Sequence, residues 1–290
     1  MLGKQSKMLV LGGSGFVGKV LVSRFECLGT SFSGKEGYLR CDATDSQSLA
    51  SVLEETHPEV VVNCVGLANV DVAETNPELA RKLNVLSVRN VVQMQKKLHF
   101  KLVHISTDYV FDGEESQRTE TDQENPINVY GKTKLEGEHE ISDKGNSLIL
   151  RISTPYGDSK GSVKKQFYEH IIENVSKGET VKAVSDQIVT STYLPDLASA
   201  MKTLLDNERT GVFHVSSLDT LSRYEFAQEV ARVAGLNEKL VEPVLMRSLE
   251  GWIAKRPRDT SLDVRRSMKF GVKYTRIEDA LGELVSLHSY

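Results

Sequence analysis

Tyr130 and Lys134 are the two side chains in this sequence whose types and spacing best suit proton transfer. They are four residues apart in a segment with helical spacing, and residues i and i+4 share one face of a helix. Phenols and ammonium groups each titrate at about pH 10, but a neighbouring cation favours the phenolate and lowers the tyrosine pKa. We therefore expect Tyr130 to donate and accept protons, with Thr107 hydrogen-bonding the same reacting oxygen.

Thr107 follows the apolar segment Lys101–Ile105, which is typical of a buried strand. That strand would deliver Ser106, Thr107 and Asp108 at its carboxyl end. In an open α/β sheet, ligands bind in the crevice beyond those strand ends. The sequence thus predicts that Thr107 lies in a ligand crevice.

A glycine-rich turn follows another short apolar segment, Met8–Leu11, and leads into a helical pattern. Its glycines fit both Gly12-x-x-Gly15-x-x-Gly18 and Gly13-x-Gly15-x-x-Gly18. Early glycines in such a turn let the backbone approach a pyrophosphate, and the last lets helix and strand pack closely. The free N–H groups at the helix N-terminus attract the phosphates. Strand, glycine turn and helix together predict a dinucleotide site.

Alternating apolar strands and amphipathic helices predict an α/β fold with a Rossmann-type, doubly wound parallel sheet. We place an NAD(P)-binding domain at 1–160 and a smaller substrate-binding lobe at 161–290, with strands and helices partly exchanged between them. A capping box, Ser222 with Glu225, predicts a helix start in that lobe. The predicted strands are 8–11, 30–33, 38–40, 60–65, 101–105, 147–152 and 211–215, and the predicted helices are 46–55, 77–98, 163–177 and 195–205, with a loop at 158–162.

Composition excludes several classes of protein. The 290 residues are 39% hydrophobic and 26% charged, with a formal charge of −4, which argues against a nucleic-acid or membrane-surface binder. Neither a secretory signal nor a membrane-spanning segment is expected. Cys27, Cys41 and Cys64 lack metal-ligand spacing, and we interpret Cys27 and Cys64 as buried apolar residues. We expect a cytoplasmic protein without a metal, able to form a homodimer.

The motifs, taken together, resemble the extended short-chain dehydrogenase/reductase family, and within it the dTDP-4-dehydrorhamnose reductase branch. They run in family order over nearly the whole chain. The resemblance implies NADPH-dependent reduction of the C4 ketone of a dTDP-linked 6-deoxy-hexulose, with NADH as the other possible cofactor. The matching segments are GlyGlySerGlyPheValGly, Val70–Glu74, Leu83–Val85, Ser106–Gly113, Asn128–Glu138, Asp186–Thr192, PheHisValSer, SerArgTyrGluPheAla and the ArgPro segment at Arg256.

The resemblance also implies a role for individual residues. Tyr130 would protonate the ketone oxygen, Lys134 would hold the nicotinamide ribose, and Thr107 would orient the carbonyl. Asn84 matches a helix asparagine near the active site. Arg256 would bind a substrate phosphate. The remaining cofactor residues are Gly12, Gly15, Phe16, Val17, Gly18, Asp42, Ala43, Val65 and Gly66, and the remaining substrate residues are Asp108, Tyr109 and Val110.

The residues after the second predicted strand bear on cofactor choice. NAD-specific sites usually place an acid there to hold the ribose 2′-hydroxyl. Ser33 and Lys35 suit a 2′-phosphate, whereas Glu36 suits NAD. We favour NADPH over NADH.

One departure from the branch leaves the sugar open. Rhamnose-forming members usually carry a tryptophan where this chain has Thr154, so an aromatic sugar platform is missing. Sugar dehydratases are disfavoured, because Tyr109 stands where they carry a catalytic glutamate. A reductase or epimerase of another nucleotide sugar is one alternative. Another is a non-catalytic, NADP-binding regulatory subunit resembling the methionine adenosyltransferase β subunit.

Overall fold

A seven-stranded parallel sheet forms the centre of the protein. The computed structural model describes residues 8–141, 145–158 and 166–287. The strands are β1 (Met8–Leu11), β2 (Leu28–Ser31), β3 (Leu39–Arg40), β4 (Val60–Asn63), β5 (Lys101–Thr107), β6 (Ser147–Ile152), β7 (Val181–Val184), β8 (Ile188–Val189), β9 (Gly211–Val215), β10 (Leu221–Ser222) and β11 (Val241–Val244). Spatial order in the sheet is β3-β2-β1-β4-β5-β6-β9, and it reverses beside β1. This is the strand order of a doubly wound fold, so the predicted fold class is confirmed.

Helices cover both faces of this sheet, because its strands are apolar on both sides. Leu21 and Met201 pack with Val10 on one face, whereas Leu53 and Val91 pack on the other. The helices are α1 (Phe16–Phe25), α2 (Ser46–Thr56), α3 (Val70–Thr75), α4 (Pro77–Arg81), α5 (Ser87–Leu98), α6 (Val129–Glu140), α7 (Phe167–Ser176), α8 (Leu194–Asp206), α9 (Arg223–Val233), α10 (Arg265–Met268) and α11 (Ile277–Leu287).

A smaller lobe has its own apolar core. Ile171, Phe226 and Leu281, from α7, α9 and α11, pack there against Val181 of β7. Strand β11 pairs with β7, and β10 pairs with β8. Helix α8 and strand β9 come from beyond residue 160 but pack on the main sheet. The boundary at residue 160 stays a prediction.

Most predicted elements lie within one or two residues of the observed ones, with three differences. Strand β2 is Leu28–Ser31, two residues earlier than the predicted 30–33. The long helix predicted over 77–98 contains a π-helical turn, Lys82–Leu86, between α4 and α5. Cys27 and Cys64 are half-buried rather than buried. Residues 159–165, which include most of the predicted loop and the start of the predicted helix at 163, lie outside the described residues.

Candidate active site

Strand β5 ends at the site with a tight turn that fixes Thr107. The Thr107 Oγ1 accepts the backbone N–H of Tyr109 at 3.2 Å, which caps the 3₁₀ turn Asp108–Val110. The same hydroxyl donates to Asp108 Oδ1 at 3.0 Å. Thr107 is buried at the carboxyl end of the sheet, as the sequence predicts.

Helix α6 brings Tyr130 and Lys134 to the end of β5. The Asn128 Oδ1 accepts the Gly131 N–H at 2.8 Å and caps this helix. A Cβ at Gly131 would lie 2.1 Å from the Tyr109 carbonyl oxygen, so only glycine permits this approach. The helix therefore sits directly against the turn that holds Thr107.

The Lys134 side chain is buried and is hydrogen-bonded to the sheet. Its Nζ donates to the Ile105 carbonyl oxygen at 2.7 Å. Burial lowers the pKa of Lys134 to about 8, although the charges of Glu138 and Cys64 act in the opposite direction. Buried lysines lose the solvation of their charged form, which explains the direction.

The Tyr130 ring packs edge-to-face with the Tyr109 ring, with centroids 5.7 Å apart. Burial raises the pKa of Tyr130, an effect that the Thr107 hydroxyl opposes and that the Asp108 charge increases. From the sequence we expect Lys134 to lower this pKa. That expectation is wrong, because desolvation of the phenolate raises the Tyr130 pKa by more than the Thr107 hydroxyl lowers it.

Thr107, Tyr130 and Lys134 line one cavity of about 290 Å³. Asp108, Tyr109, Val17, Val65 and Gly66 line it too, so the structure brings many of the predicted catalytic, cofactor and substrate residues together. The other lining residues are Cys64, Leu67, Ala68, Val70, Asn84, Ile105, Ser106, Ile152, Thr154, Pro155 and Arg223.

The glycine turn between β1 and α1 forms a cradle that fits a dinucleotide. Gly12 has a φ of +71°, a backbone conformation that residues with a side chain rarely adopt. A Cβ at Gly18 would lie 2.4 Å from the Gly12 carbonyl oxygen, so the helix could not approach the turn with any larger residue. Gly15 precedes α1, whose first residues are Phe16 and Val17. The free N–H groups of that helix end are the donors a pyrophosphate needs.

The predicted adenosine-side residues lie at the ends of β2 and β3. Asp42 Oδ1 accepts the N–H of Thr44 at 2.9 Å and its hydroxyl at 2.7 Å. Ala43 is buried beside Asp42. The Ser33 and Lys35 side chains are exposed on the loop after β2. The Ser33 hydroxyl is hydrogen-bonded to the Ser31 hydroxyl at 3.2 Å, and binding of a ribose phosphate by Ser33 and Lys35 stays a prediction.

Two predicted substrate residues lie away from the cavity lining. The Val110 side chain is fully buried with Phe111 and Leu262, so it cannot reach a ligand in this structure. Arg256 donates from Nη2 to Asp71 Oδ2 at 2.6 Å, and its guanidinium lies over the Trp252 ring. The late ArgPro segment packs on α3, and this contact explains the placement of Arg256. The spacing of the motifs in the sequence does not show such a contact.

Arg223 is the functional candidate that the sequence analysis missed. It lines the cavity at the start of α9, directly after the capping residue Ser222. Within the part of the chain that the structure describes, its guanidinium has no ion pair; it lies over the Phe167 ring. Burial lowers the pKa of Arg223. The capping box was the available signal, because it places Arg223 at the first position of a helix.

The π turn supplies a further contact that the sequence could only suggest. Asn84 is fully buried in this turn, and its Oδ1 accepts the Leu67 N–H at 2.7 Å. Its Nδ2 donates to Thr133 Oγ1 at 2.9 Å, on α6. Asn84 therefore ties the cavity loop to the helix of Tyr130, and π turns frequently occur at functional sites.

Comparison with known proteins agrees with this architecture. The family described as the RmlD substrate binding domain matches residues 6–289. The chain belongs to this family. The predicted branch of the extended short-chain dehydrogenase/reductases is thus confirmed, and with it the assignment to the NAD(P)-dependent oxidoreductases.

Three proteins that are similar to this chain carry different names. The probable low-salt glycan biosynthesis reductase Agl14 of Haloferax volcanii is 31% identical and aligns over 97% of each chain. Bovine methionine adenosyltransferase 2 subunit beta is 28% identical over 92% of this chain and 83% of its own. A Bacillus anthracis dTDP-4-dehydrorhamnose reductase, solved in complex with NADP, has a TM-score of 0.87 at 27% identity and covers 97% and 99% of the two chains. The chain is therefore similar both to named reductases and to a methionine adenosyltransferase subunit.

The buried Lys134 should give folding stability a distinct pH dependence. Its folded pKa of about 8 lies below the ordinary value of 10.5, so the unfolded chain binds more protons between those values. Stability should therefore rise with pH across this window and be lowest below pH 8. Compared with Lys134→Met, the wild type should gain about 3 kcal/mol over that range.

Urea denaturation without cofactor, repeated from neutral to alkaline pH, measures this difference. Lys132→Met changes an exposed lysine on the same helix and should retain the wild-type slope. Identical slopes in the wild type and Lys134→Met would show that the ammonium is not destabilised in the folded protein.

Proposed function

We propose that this protein is an NADPH-dependent reductase of the C4 ketone of a dTDP-linked 6-deoxy-hexulose, forming dTDP-L-rhamnose or a close epimer. One observation carries the proposal: Thr107, Tyr130 and Lys134 converge on the cavity that Val17 and Gly66 also line. A proton donor thus faces the space that leads to the glycine cradle. The dTDP-4-dehydrorhamnose reductase of Bacillus anthracis, with its bound NADP, supports both the substrate class and the cofactor.

The residues of this chain supply binding and the proton. NADPH, when bound, would supply the hydride that adds to the ketone carbon. The Tyr130 phenol gives its proton to the ketone oxygen, so that one C–H and one O–H bond replace the C=O π bond. Because burial raises its pKa, the phenol carries the proton that the reduction consumes. Lys134 is placed to hold the nicotinamide ribose.

Arg223 is better placed than Arg256 to bind the substrate diphosphate. Arg256 is already neutralised by Asp71, whereas Arg223 lines the cavity without an ion pair among the described residues. A guanidinium binds phosphate oxygens through two parallel hydrogen bonds. The smaller lobe would thereby hold the nucleotide while the main sheet holds the cofactor.

The regulatory alternative rests on the relative named methionine adenosyltransferase 2 subunit beta. A regulatory subunit would bind the cofactor without turning over a ketosugar. The cytoplasmic location, the homodimer and the exact sugar stay predictions from the sequence.

The test of the proposal is turnover. The protein is supplied with NADPH and dTDP-4-keto-6-deoxy-L-mannose generated in situ, and the product is identified by NMR. We expect NADPH oxidation coupled to a C4 alcohol. If the cofactor binds but oxidation stays at the rate without substrate, the reductase function is wrong and the regulatory alternative takes its place.

Tyr130→Phe should lower kcat by about 10²–10⁴-fold, because it removes the proton donor while keeping the ring. Cofactor affinity, measured by NADPH fluorescence titration, should persist. Tyr156→Phe is the matched control, since its buried hydroxyl has no hydrogen-bond partner among the described residues and lies outside the cavity lining. A Tyr130→Phe enzyme within threefold of wild type would remove Tyr130 from its role.

Arg223→Ala should raise KM for the nucleotide sugar by about 10–100-fold, since hydrogen bonds to charged groups contribute about 1.5–3 kcal/mol. Its kcat should change much less, because the guanidinium binds away from the reacting oxygen. Arg256→Ala provides the comparison, and steady-state kinetics should show a smaller rise in KM. The reverse ranking would return the phosphate role to Arg256.

Lys35→Glu should shift cofactor preference toward NADH. A carboxylate there would repel a 2′-phosphate and could accept a hydrogen bond from the ribose 2′-hydroxyl. The ratio of kcat/KM for NADPH to that for NADH should fall about tenfold or more, as for a lost charge-assisted contact. Glu36→Gln, on the same loop, should move the ratio the other way. A wild type that prefers NADH would overturn the assignment.

A further inference from the structure

Gln187 is a fully buried side chain that the proposed mechanism does not use. It is 0% exposed and directly precedes β8. Its Nε2 donates to the Tyr109 hydroxyl at 3.2 Å and to the Pro257 carbonyl oxygen at 3.3 Å. The Arg223 backbone N–H donates to the Gln187 carbonyl oxygen at 3.2 Å. One buried residue thus holds two residues of the cavity lining, Tyr109 and Arg223.

The Pro257 carbonyl determines which way the Gln187 amide points. A carbonyl oxygen can only accept hydrogen bonds, so the amide atom that lies 3.3 Å from it must be the nitrogen. The opposite orientation would place two acceptor oxygens at that distance with no proton between them. The same nitrogen lies 3.2 Å from the Tyr109 hydroxyl. Gln187 is therefore the donor in this hydrogen bond, and the Tyr109 oxygen is the acceptor.

This hydrogen bond determines where the Tyr109 proton can go. A phenol has one proton, and the proton cannot point at a donor that already occupies a lone pair of the same oxygen. Among the described residues no side chain or carbonyl accepts the Tyr109 proton, and the residue lines the cavity. The Tyr109 hydroxyl is therefore available to donate to a ligand in that cavity.

Arg223 has donors in the same condition. Its guanidinium lines the cavity and lies over the Phe167 ring, and it has no hydrogen-bond acceptor within the described part of the chain. The Arg223 and Tyr109 side chains are close enough to interact electrostatically. Two neighbouring donors without acceptors suit a ligand group that only accepts hydrogen bonds. A phosphate is such a group, and guanidinium binds it in a bidentate manner.

The surroundings of Tyr109 keep it protonated, and so a donor, at neutral pH. Burial raises its pKa, and the Asp108 charge adds to that increase. The Arg223 and Arg256 guanidiniums and the Gln187 hydrogen bond act in the other direction. A hydrogen bond donated to a phenol oxygen favours the phenolate, so the direction of the Gln187 effect agrees with the geometry.

We propose that Gln187 is a positioning residue that turns the Tyr109 proton toward the cavity, where Tyr109 and Arg223 together bind a phosphate of a nucleoside diphosphate. The inference deepens the proposed function and rests on it for the identity of the ligand. It assigns the diphosphate a second side-chain donor, from the turn after β5. Because Gln187 is bonded both to Tyr109 and to the start of α9, the two donors keep a fixed spacing.

Gln187→Glu tests the proposal, because it keeps the size of the side chain but removes the amide donor. A carboxylate has no proton to donate, and a neutral carboxyl group has one, which the Pro257 carbonyl can accept. The Tyr109 proton would then turn to the carboxyl group and be lost to the ligand. Isothermal titration calorimetry with dTDP, in the presence of NADPH, should show a Kd raised by about 10–100-fold, as for the loss of a hydrogen bond to a charged group.

Tyr109→Phe separates positioning from a merely structural effect. By itself this change should raise the Kd for dTDP by a similar factor. In the Tyr109→Phe background, Gln187→Glu should raise the Kd further by only about threefold or less, because the proton that it captures is already absent. If the two changes instead multiply as independent effects, Gln187 does not act through Tyr109 and the proposal is overturned.

Gln95→Glu is the matched control. It changes another buried glutamine, whose amide donates to the Phe100 and Asn146 carbonyl oxygens outside the cavity lining. Its Kd for dTDP should stay at the wild-type value, and NADPH affinity should persist in every variant. An equal loss of dTDP affinity in Gln95→Glu and Gln187→Glu would indicate general disturbance of the fold and would contradict the proposal.

The remaining outcomes also decide the matter. If Gln187→Glu does not fold, Gln187→Met replaces it in the same cycle, since methionine has no donor. An unchanged Kd in Tyr109→Phe, or a wild type that does not bind dTDP, overturns the proposal without any Gln187 variant.

The titration uses no ketosugar, so it separates this inference from the reductase function. A protein that binds dTDP with the expected coupling but reduces no ketosugar loses the reductase function and keeps the role of Gln187. In an active protein, Gln187→Glu should raise KM for the nucleotide sugar while kcat stays within about threefold of wild type, because the lost contact is a binding contact. A fall in kcat with an unchanged KM would overturn the proposal.

Discussion

A buried ion pair between Glu138 and Arg151 fixes the helix on which the site depends. The Arg151 side chain is almost fully buried on β6, and its Nη2 donates to Glu138 Oε2 at 2.7 Å while Nε donates to Oε1 at 3.0 Å. Ser106 of β5 donates to the same carboxylate. Helix α6 is thereby bonded to two neighbouring strands one turn beyond Lys134. Removing one partner of such a pair typically costs about 3–5 kcal/mol, because the other charge remains buried.

Close packing then converts this anchor into a position for Tyr130. A Cβ at Gly137 would lie 2.3 Å from the Asn84 carbonyl oxygen, so α6 meets the π turn at backbone distance, as it meets the Tyr109 carbonyl at Gly131. Lys134 lies between these two contacts, and Tyr130 directly precedes the one at Gly131. Since interiors are packed to the density of crystals, a helix held at both places has little freedom to shift. The geometry of the reacting groups is a consequence of how α6 packs.

The parts of this structure that local rules control were predictable from sequence. The glycine turn, the apolar strands and the Ser222 capping box follow from backbone freedom, burial and hydrogen-bond satisfaction, and the structure has them where expected. The site residues that converge, Thr107, Tyr130 and Lys134, follow from strand ends and helix periodicity. The predictions that failed concern properties that depend on tertiary contacts. The spacing of Tyr130 and Lys134 gives no measure of burial, so the direction of the tyrosine pKa could not be read from it.

The missing aromatic platform illustrates the same division between local and tertiary control. Thr154 has a φ of +34°, a conformation that costs a β-branched residue about 1–3 kcal/mol and persists only where surrounding structure imposes it. Here the surrounding structure is visible: the Ser153 N–H donates to Thr192 Oγ1 at 3.0 Å, and the Tyr156 N–H donates to the Thr192 carbonyl at 2.9 Å. The backbone is bonded on both sides of Thr154, which lines the cavity between them. Thr154 therefore stands where we expect a tryptophan in rhamnose-forming members, and the backbone conformation that places it in the cavity wall depends on the loop that carries Thr192.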